Sequence, residues 1–291
     1  MEMDDTFKHL IVRPGKRISL RKDFDPSWTA DSHDKKSAGA MLADGIEKLA
    51  EYQDKLYAQN CNALLIVIQA MDAAGKDGVI KHVMSGINPQ GCQVVSFKSP
   101  SSEELDHDYL WRCEKVLPAL GQIGIFNRSY YEEVLVTRVH PEYLAARGIE
   151  VTKHLWKQRF EQINHFEKYL TENGTTVLKF FLNVSRKEQK KRFLERIDRE
   201  EKNWKFNAAD VQERGHWEEY MDAYEDCINH TSTNWAPWHI IPADAKWFTR
   251  LCVAGVIYQT LRDMNPTYPE VSKEHLLQLQ AAKKILLAEK E

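Results

Sequence analysis

No run of 18 apolar residues occurs anywhere in this chain, so no membrane-spanning helix is expected. The opening residues, Met1-Glu2-Met3-Asp4-Asp5, are acidic where a secretory leader is basic. Five cysteines (Cys61, Cys92, Cys113, Cys227, Cys252) are odd in number and scattered, with no C-x-x-C pair. They read as reduced, mostly buried thiols of a cytoplasmic protein, not as a disulfide frame or a zinc site. Internal repeats and low-complexity tracts are missing. So is a dominant charge: 40 Lys and Arg face 43 Asp and Glu, a net of −3. Affinity for a polyanion must then come from local clustering. What remains is 291 residues with 43% apolar content, enough for one large α/β domain or one domain with helical extensions.

Residues 1–35 are polar, interrupted by Pro14, Gly15 and Pro26, and read as an irregular arm with Trp28 as its anchor. The apolar spacing of Met41, Ile46, Leu49, Tyr52 and Leu56 predicts a helix over 36–60. Five short apolar runs follow, at 63–69, 92–97, 123–127, 176–184 and 238–242. Helical periods separate them at about 79–84, 102–119, 130–172, 186–230 and 245–263. Strands alternating with helices predict a parallel five-stranded sheet covered on both faces. A last helix, about 270–289, trails behind Pro266 and Pro269 and is read as serving a partner subunit in a homodimer or homotetramer. The resulting domains are an arm (1–35), a core (36–265) and a C-terminal helix (266–291).

Between the first run and the helix that follows it stands Ala70-Met71-Asp72-Ala73-Ala74-Gly75-Lys76-Asp77-Gly78. Small residues let backbone N–H groups curl around an anion, the helix dipole adds to this, and a lysine caps the phosphates. Two departures from G-x-x-x-x-G-K-[ST] matter. Ala70 replaces the first glycine, and Asp77 stands where a hydroxyl touches Mg²⁺. A loop carrying Asp72 and Asp77 is less positive than usual and suits a metal-rich site.

The third run ends in Phe126-Asn127-Arg128-Ser129-Tyr130-Tyr131-Glu132-Glu133. Ligands bind outside the carboxyl ends of parallel strands, so these residues should face the same crevice as the loop. Arg128 suits phosphate oxygens through its planar fork. Asn127 holds the Walker B position, where an amide is a weaker metal partner, leaving Glu132 or Glu133 to make up the charge. Ser129 with Glu132 also spells a capping box.

From 186 to 205 the chain holds nine Lys or Arg against five acids. Arg192, Arg196 and Arg199 share one helical face, beside an apolar stripe of Phe193 and Ile197. Such a face is ordinarily solvated and laced with ion pairs. Its place before the last strand is where phosphate-loop kinases carry a lid, about 186–215 here, that brings arginines onto the moving phosphoryl group.

Together, Asp72–Gly78, Phe97-Lys98-Ser99-Pro100, Glu104–Arg112, Asn127-Arg128-Ser129, Glu201–Phe206 and the blocks from Thr231 to Trp247 resemble the polyphosphate kinase 2 family, over roughly residues 10–265. The resemblance implies phosphoryl transfer between inorganic polyphosphate and a nucleotide, with Mg²⁺ or Mn²⁺, on a three-layer, thymidylate-kinase-like P-loop core with a helical lid. It implies Asp72 as metal ligand, Lys76 on the transferred phosphate and Arg128 at the phosphoryl centre. Ala73, Ala74, Gly75, Asp77 and Gly78 would cradle phosphate, with Arg192, Arg196 and Arg199 as the cationic lid face. Lys98 and Arg112 would contact nucleotide or polyphosphate, and Asn127 nucleotide. The stretch Asn127–His140 is similar to the subgroup that accepts both AMP and ADP, often called class III. Members restricted to diphosphates carry Asn where this chain has Glu132, an acid that would bind a second metal or meet the nucleotide. The partners implied are polyphosphate, AMP, ADP and ATP, with guanine nucleotides as further candidates. Two rival readings are an ATP-dependent nucleotide kinase and a non-catalytic polyphosphate-binding protein. A phosphohistidine route through His82, His107 or His140 lacks a glycine-flanked nucleophile position. Nucleic-acid binding lacks regularly spaced stacking aromatics, and no membrane partner is expected.

Overall fold

The computed structural model describes residues 5–30 and 34–289; the acidic Met1–Asp4 lies outside them. Helices of eight residues or more are numbered here, in chain order with the strands. The order is α1 (Lys35–Gln59), β1 (Ala63–Ala70), α2 (Lys76–Val83), β2 (Cys92–Ser96), β3 (Ile123–Asn127), α3 (Glu132–Val139), α4 (Leu155–Glu172), β4 (Thr175–Asn183), α5 (Arg186–Asp198), α6 (Trp217–Thr231), β5 (Trp238–Pro242), α7 (Lys246–Met264) and α8 (Lys273–Ala288).

The five strands form one all-parallel sheet in the order β2-β3-β1-β4-β5. Every residue of β1 is buried, because its strand is covered on both faces and flanked on both edges. A continuous apolar run is what such a position selects. Burying Leu64, Leu65, Ile66 and Val67 contributes roughly 1.5–3 kcal/mol each. Register pairs Ile68 with Asn127 and Ser96 with Asn127, which brings the ends of β1, β3 and β2 to one rim.

On one face α1 packs against α7, with Tyr52 and Tyr258 in edge contact at 5.7 Å. Helix α1 is capped at its start by the Asp34 carboxylate and closed by Asn60 in the left-handed region. Helices α3, α4 and α6 pack together.

Three expectations need correction. The helical period over 130–172 breaks after Val139: Pro141 opens a single turn at Glu142–Ala145, and Gly148 turns the chain with φ 69°. The period over 186–230 breaks at Arg199, which is extended, and a one-turn helix (Glu200–Asn203) and a short helix (Ala208–Glu213) intervene before α6. The arm, read as irregular with Trp28 as its anchor, is also built into the core through further side chains. Phe7, Leu10, Val12, Ile18 and Leu20 are all buried. Val12 N–H donates to the Trp238 carbonyl at 2.8 Å and Ile240 N–H to the Leu10 carbonyl at 2.7 Å, an antiparallel bridge onto β5. Trp28 does meet Phe248 edge-on at 5.5 Å. By contrast, no residue of α8 is buried.

Candidate active site

The loop between β1 and α2 needs two residues in the left-handed region, Ala73 (φ 57°) and Gly75 (φ 109°). For alanine that conformation costs about 1–2 kcal/mol, so something must hold it. Arg192 does. Its Nη1 donates to the carbonyls of Ala73 (3.1 Å) and Ala74 (2.7 Å), and its Nη2 to those of Ala243 (2.6 Å) and Asp244 (3.0 Å). Its Nε donates to Glu188 at 3.0 Å. All five guanidinium N–H groups are therefore spent on protein acceptors, and the residue is 5% exposed. Arg192 is a strut tying the loop to the β5–α7 connection, which corrects its expected role as a phosphate donor. Gln189, one turn earlier, supports the same loop by donating to the Asp72 carbonyl at 2.9 Å.

Lys76 opens α2 and donates Nζ to the Ala70 carbonyl at 3.0 Å. Burial pushes its pKa down to about 8, and the neighbouring Arg128 charge adds to this against the pull of Asp72, Glu132 and Asp77. Arg128 itself sits in the left-handed region (φ 65°), with its N–H on the Ile68 carbonyl at 3.1 Å. Its guanidinium spans two carboxylates, Nη2 to Asp72 at 2.8 Å and Nη1 to Glu132 at 3.0 Å. Glu132 above all, and Asp72 as well, hold the Arg128 pKa above its ordinary value despite burial.

Glu132 also accepts from Gln69 Nε2 at 2.8 Å. Its carboxylate is thus turned toward Arg128 and Gln69, and no capping box forms with Ser129. Asp72 and Asp77 are the loop carboxylates that line the cleft, and Glu132 shares the Arg128 guanidinium with Asp72. Among the described residues no three His, Cys, Asp or Glu side chains converge on one point, so there is no closed metal cage. The Oε1 of Gln69 is buried without a partner beside Glu132, an acceptor suited to a metal-bound water. This set fits Mg²⁺, which takes one or two carboxylates and completes its shell with phosphate and water.

These residues floor and flank a cleft of about 520 Å³. Of the residues singled out in the sequence, Asp72 through Gly78, Lys98, Asn127, Arg128, Arg192 and Arg196 line it. Glu132 is not among the lining residues; it stands against the other branch of the Arg128 guanidinium from Asp72. Arg196, 24% exposed, pairs with Asp210 at 3.5 Å and keeps donors for a ligand. Arg199 and Arg112 lie outside the lining. Helix α5 ends before Arg199, which turns to Glu195 and Glu201. Arg112 packs over the Phe97 ring at 4.9 Å and donates to the Lys98 carbonyl at 2.8 Å, so it shapes the wall and does not face the cleft.

Four lining cations were not singled out in the sequence: Lys202 and Lys205, counted only within the basic stretch 186–205, and Lys246 and Arg250. Lys246 and Arg250 open α7 one turn apart, at the carboxyl end of β5, and that position was the available signal. In all, nine Lys or Arg and three acids line a cleft in a chain whose net charge is −3. Of the histidines near the motifs, His107 stacks on Trp111 at 3.8 Å and His140 pairs with Glu142 and Glu213; neither they nor His82 line the cleft.

Comparison with known proteins finds relatives along most of the chain. Residues 32–269 match the family described as Polyphosphate kinase 2 (PPK2). An ADP-polyphosphate phosphotransferase from Rhodopseudomonas palustris is 48% identical over 94% of this chain and 96% of its own length. An AMP/ADP-polyphosphate phosphotransferase from Meiothermus ruber is 42% identical over 90% of this chain and 96% of its own. The crystal structure of polyphosphate kinase 2 from Arthrobacter aurescens superposes with a TM-score of 0.87 at 40% identity, covering 97% of this chain and 95% of that one. A parallel five-stranded sheet, a glycine–lysine loop at its rim and a match over most of the length leave one assignment: the chain belongs to the polyphosphate kinase 2 family.

Proposed function

We propose that this protein transfers phosphoryl groups between inorganic polyphosphate and AMP or ADP, by direct in-line displacement. The observation that carries the reading is the cleft: besides the Arg192 strut, eight cationic side chains continue from the loop along Arg196, Lys202, Lys205, Lys246 and Arg250. That is more positive charge than a single nucleotide phosphate tail requires, and it suits a long polyanion.

In this reading the loop N–H groups and Lys76 hold the moving phosphoryl group. Arg128 faces it from the end of β3, and Arg196 approaches from the lid. Asp72 and Glu132 hold the metal, Mg²⁺ or Mn²⁺, whose contribution when bound is to neutralise charge on the phosphate oxygens. Arg128, which pairs with both Asp72 and Glu132, would turn to phosphate where those carboxylates held a cation instead. Positioning and charge neutralisation suffice, and no covalent protein intermediate is needed. One phosphoanhydride is exchanged for another, so the direction follows substrate supply. Guanine nucleotides are further acceptors on this reading. Six apolar side chains exposed on α8 (Leu276, Leu277, Leu279, Ile285, Leu286, Leu287) support association into a homo-oligomer. Among the described residues no helix is long and apolar enough to cross a membrane, and all five thiols are free, which supports a cytoplasmic setting.

The test is a substrate matrix. AMP, ADP, GMP and GDP are each incubated with polyphosphate and Mg²⁺ in the absence of ATP, and products are separated by chromatography. ADP and ATP should form from AMP, and EDTA should stop the reaction. Absence of product, with turnover restored by ATP as donor, would replace this reading with an ATP-dependent nucleotide kinase.

A further inference from the structure

Under the Arg128 turn lies an ion pair with no exposure at all. Lys179 Nζ, on β4, is 2.6 Å from Glu167 Oε2, on α4. Taking two charges out of water costs more than their attraction readily returns, and apolar side chains of similar size fill a core as well. What the pair holds is therefore informative. Glu167 Oε1 accepts from the hydroxyls of both Tyr130 (2.8 Å) and Tyr131 (2.7 Å). Lys179 Nζ donates to the Tyr131 hydroxyl at 3.0 Å and to the Thr231 carbonyl, at the end of α6, at 2.7 Å. With Glu167 as its third acceptor, the ammonium is fully satisfied.

Tyr130 and Tyr131 are two of the three residues between Arg128 and Glu132. Arg128 holds a left-handed backbone that costs energy, and α3 begins at Glu132 without a side-chain cap. The turn has short-range bonds of its own, from Tyr131 N–H to Ser129 Oγ at 3.2 Å and from Glu132 N–H to the Ser129 carbonyl at 3.1 Å, but neither ties it to α4 or β4. It is fixed from below, by two phenols gripped by one carboxylate.

We propose that Glu167 and Lys179 are positioning residues for phosphoryl transfer: by clamping the Tyr130 and Tyr131 hydroxyls they hold Arg128 and Glu132 in register with Asp72. The proposal rests on the site reading above, and the controls separate the two. Wild type must turn over polyphosphate, and Arg128→Ala must not; full activity of Arg128→Ala would sink the site assignment itself.

Tyr131→Phe removes one hydroxyl and leaves the packing. Its kcat per folded molecule should fall about tenfold or more, with the ADP KM changed less than about twofold. Polyphosphate affinity measured by calorimetry in EDTA should stay at the wild-type value. A second variant, Glu167→Leu with Lys179→Met, leaves no buried charge unpaired but orphans the two phenol hydroxyls and the Thr231 carbonyl, so it should melt below wild type yet above Glu167→Leu alone, while kcat per folded molecule stays low. Unchanged kcat in folded Tyr131→Phe would overturn the proposal. Recovery of kcat together with stability in the double variant would do the same, since the pair would then be only a filler of the core.

Discussion

Asn127 Nδ2 donates to Asp77 Oδ1 at 2.8 Å, linking the end of β3 to the residue after the loop lysine. In the usual phosphate loop these two positions hold a carboxylate and a hydroxyl, respectively. Here the carboxylate has moved to the loop and the donor to the strand, so the hydrogen bond survives with its polarity reversed. The exchange explains how Asn127 is tolerated at a Walker B position.

Asn127→Asp alone should therefore be worse than the double exchange. Two carboxylates at hydrogen-bonding distance repel unless one takes a proton. The single variant should lose about tenfold or more in kcat, with partial recovery as pH falls, at roughly 1.4 kcal/mol per factor of ten. Adding Asp77→Ser should restore most of the rate. Steady-state kinetics from pH 6 to 8 check this, and equal rates for single and double variants would disprove the coupling.

Lys76 supplies a second expectation. Burial holds its pKa at about 8, below the ordinary lysine value of 10.5. The free enzyme should lose this positive charge as pH rises through about 8, and the apparent KM for polyphosphate should climb above that point. The stability effect has the opposite sign. Between pH 8 and 10.5 the unfolded chain binds more protons at this group than the folded one, so its contribution favours folding as pH rises. Lys76→Ala should abolish turnover without lowering the melting temperature. A marked loss of stability would show that Lys76 holds the loop together instead of serving the phosphate.

The two lid-helix arginines should separate cleanly. Arg192→Ala orphans four carbonyls and leaves Glu188 with the exposed Lys191, and should destabilise the protein by about 3–5 kcal/mol, the range for breaking a buried charged pair. Its melting temperature should drop markedly. Arg196→Ala breaks only a partly exposed pair with Asp210, so stability should change by less than about 1 kcal/mol. Its kcat should nevertheless fall more than its nucleotide affinity. Thermal melts beside initial rates distinguish the pair, and a similar stability loss in both variants would refute the division.

Much of this was legible in the sequence because the central strands of a parallel sheet must be apolar throughout. Ile123–Asn127 and Trp238–Pro242 coincide with the apolar runs, and the polar residues just after them face the cleft. The loop was legible from its small residues and lysine. The fate of Arg192 was not, because it depends on carbonyls of Ala243 and Asp244, about fifty residues away and chemically anonymous in a sequence. Lys246 and Arg250 were hidden for a related reason: they look like any charged pair on a helix until β5 is seen to aim them inward. The arm was misread because Phe7, Leu10, Val12, Ile18 and Leu20 follow no single period. They are buried by docking on the sheet and not as one face of a regular element.

That docking leaves the sheet with two unequal borders. At β5, Leu10 and Val12 occupy backbone groups of Ile240 and Trp238 that an outside strand would otherwise reach. At the opposite border β2 carries only short, half-exposed sequence, with Val94 47% exposed. Strand-to-strand recruitment of a second molecule is therefore blocked on one flank by the chain's own beginning. The arm works as a built-in guard against edge-on polymerisation.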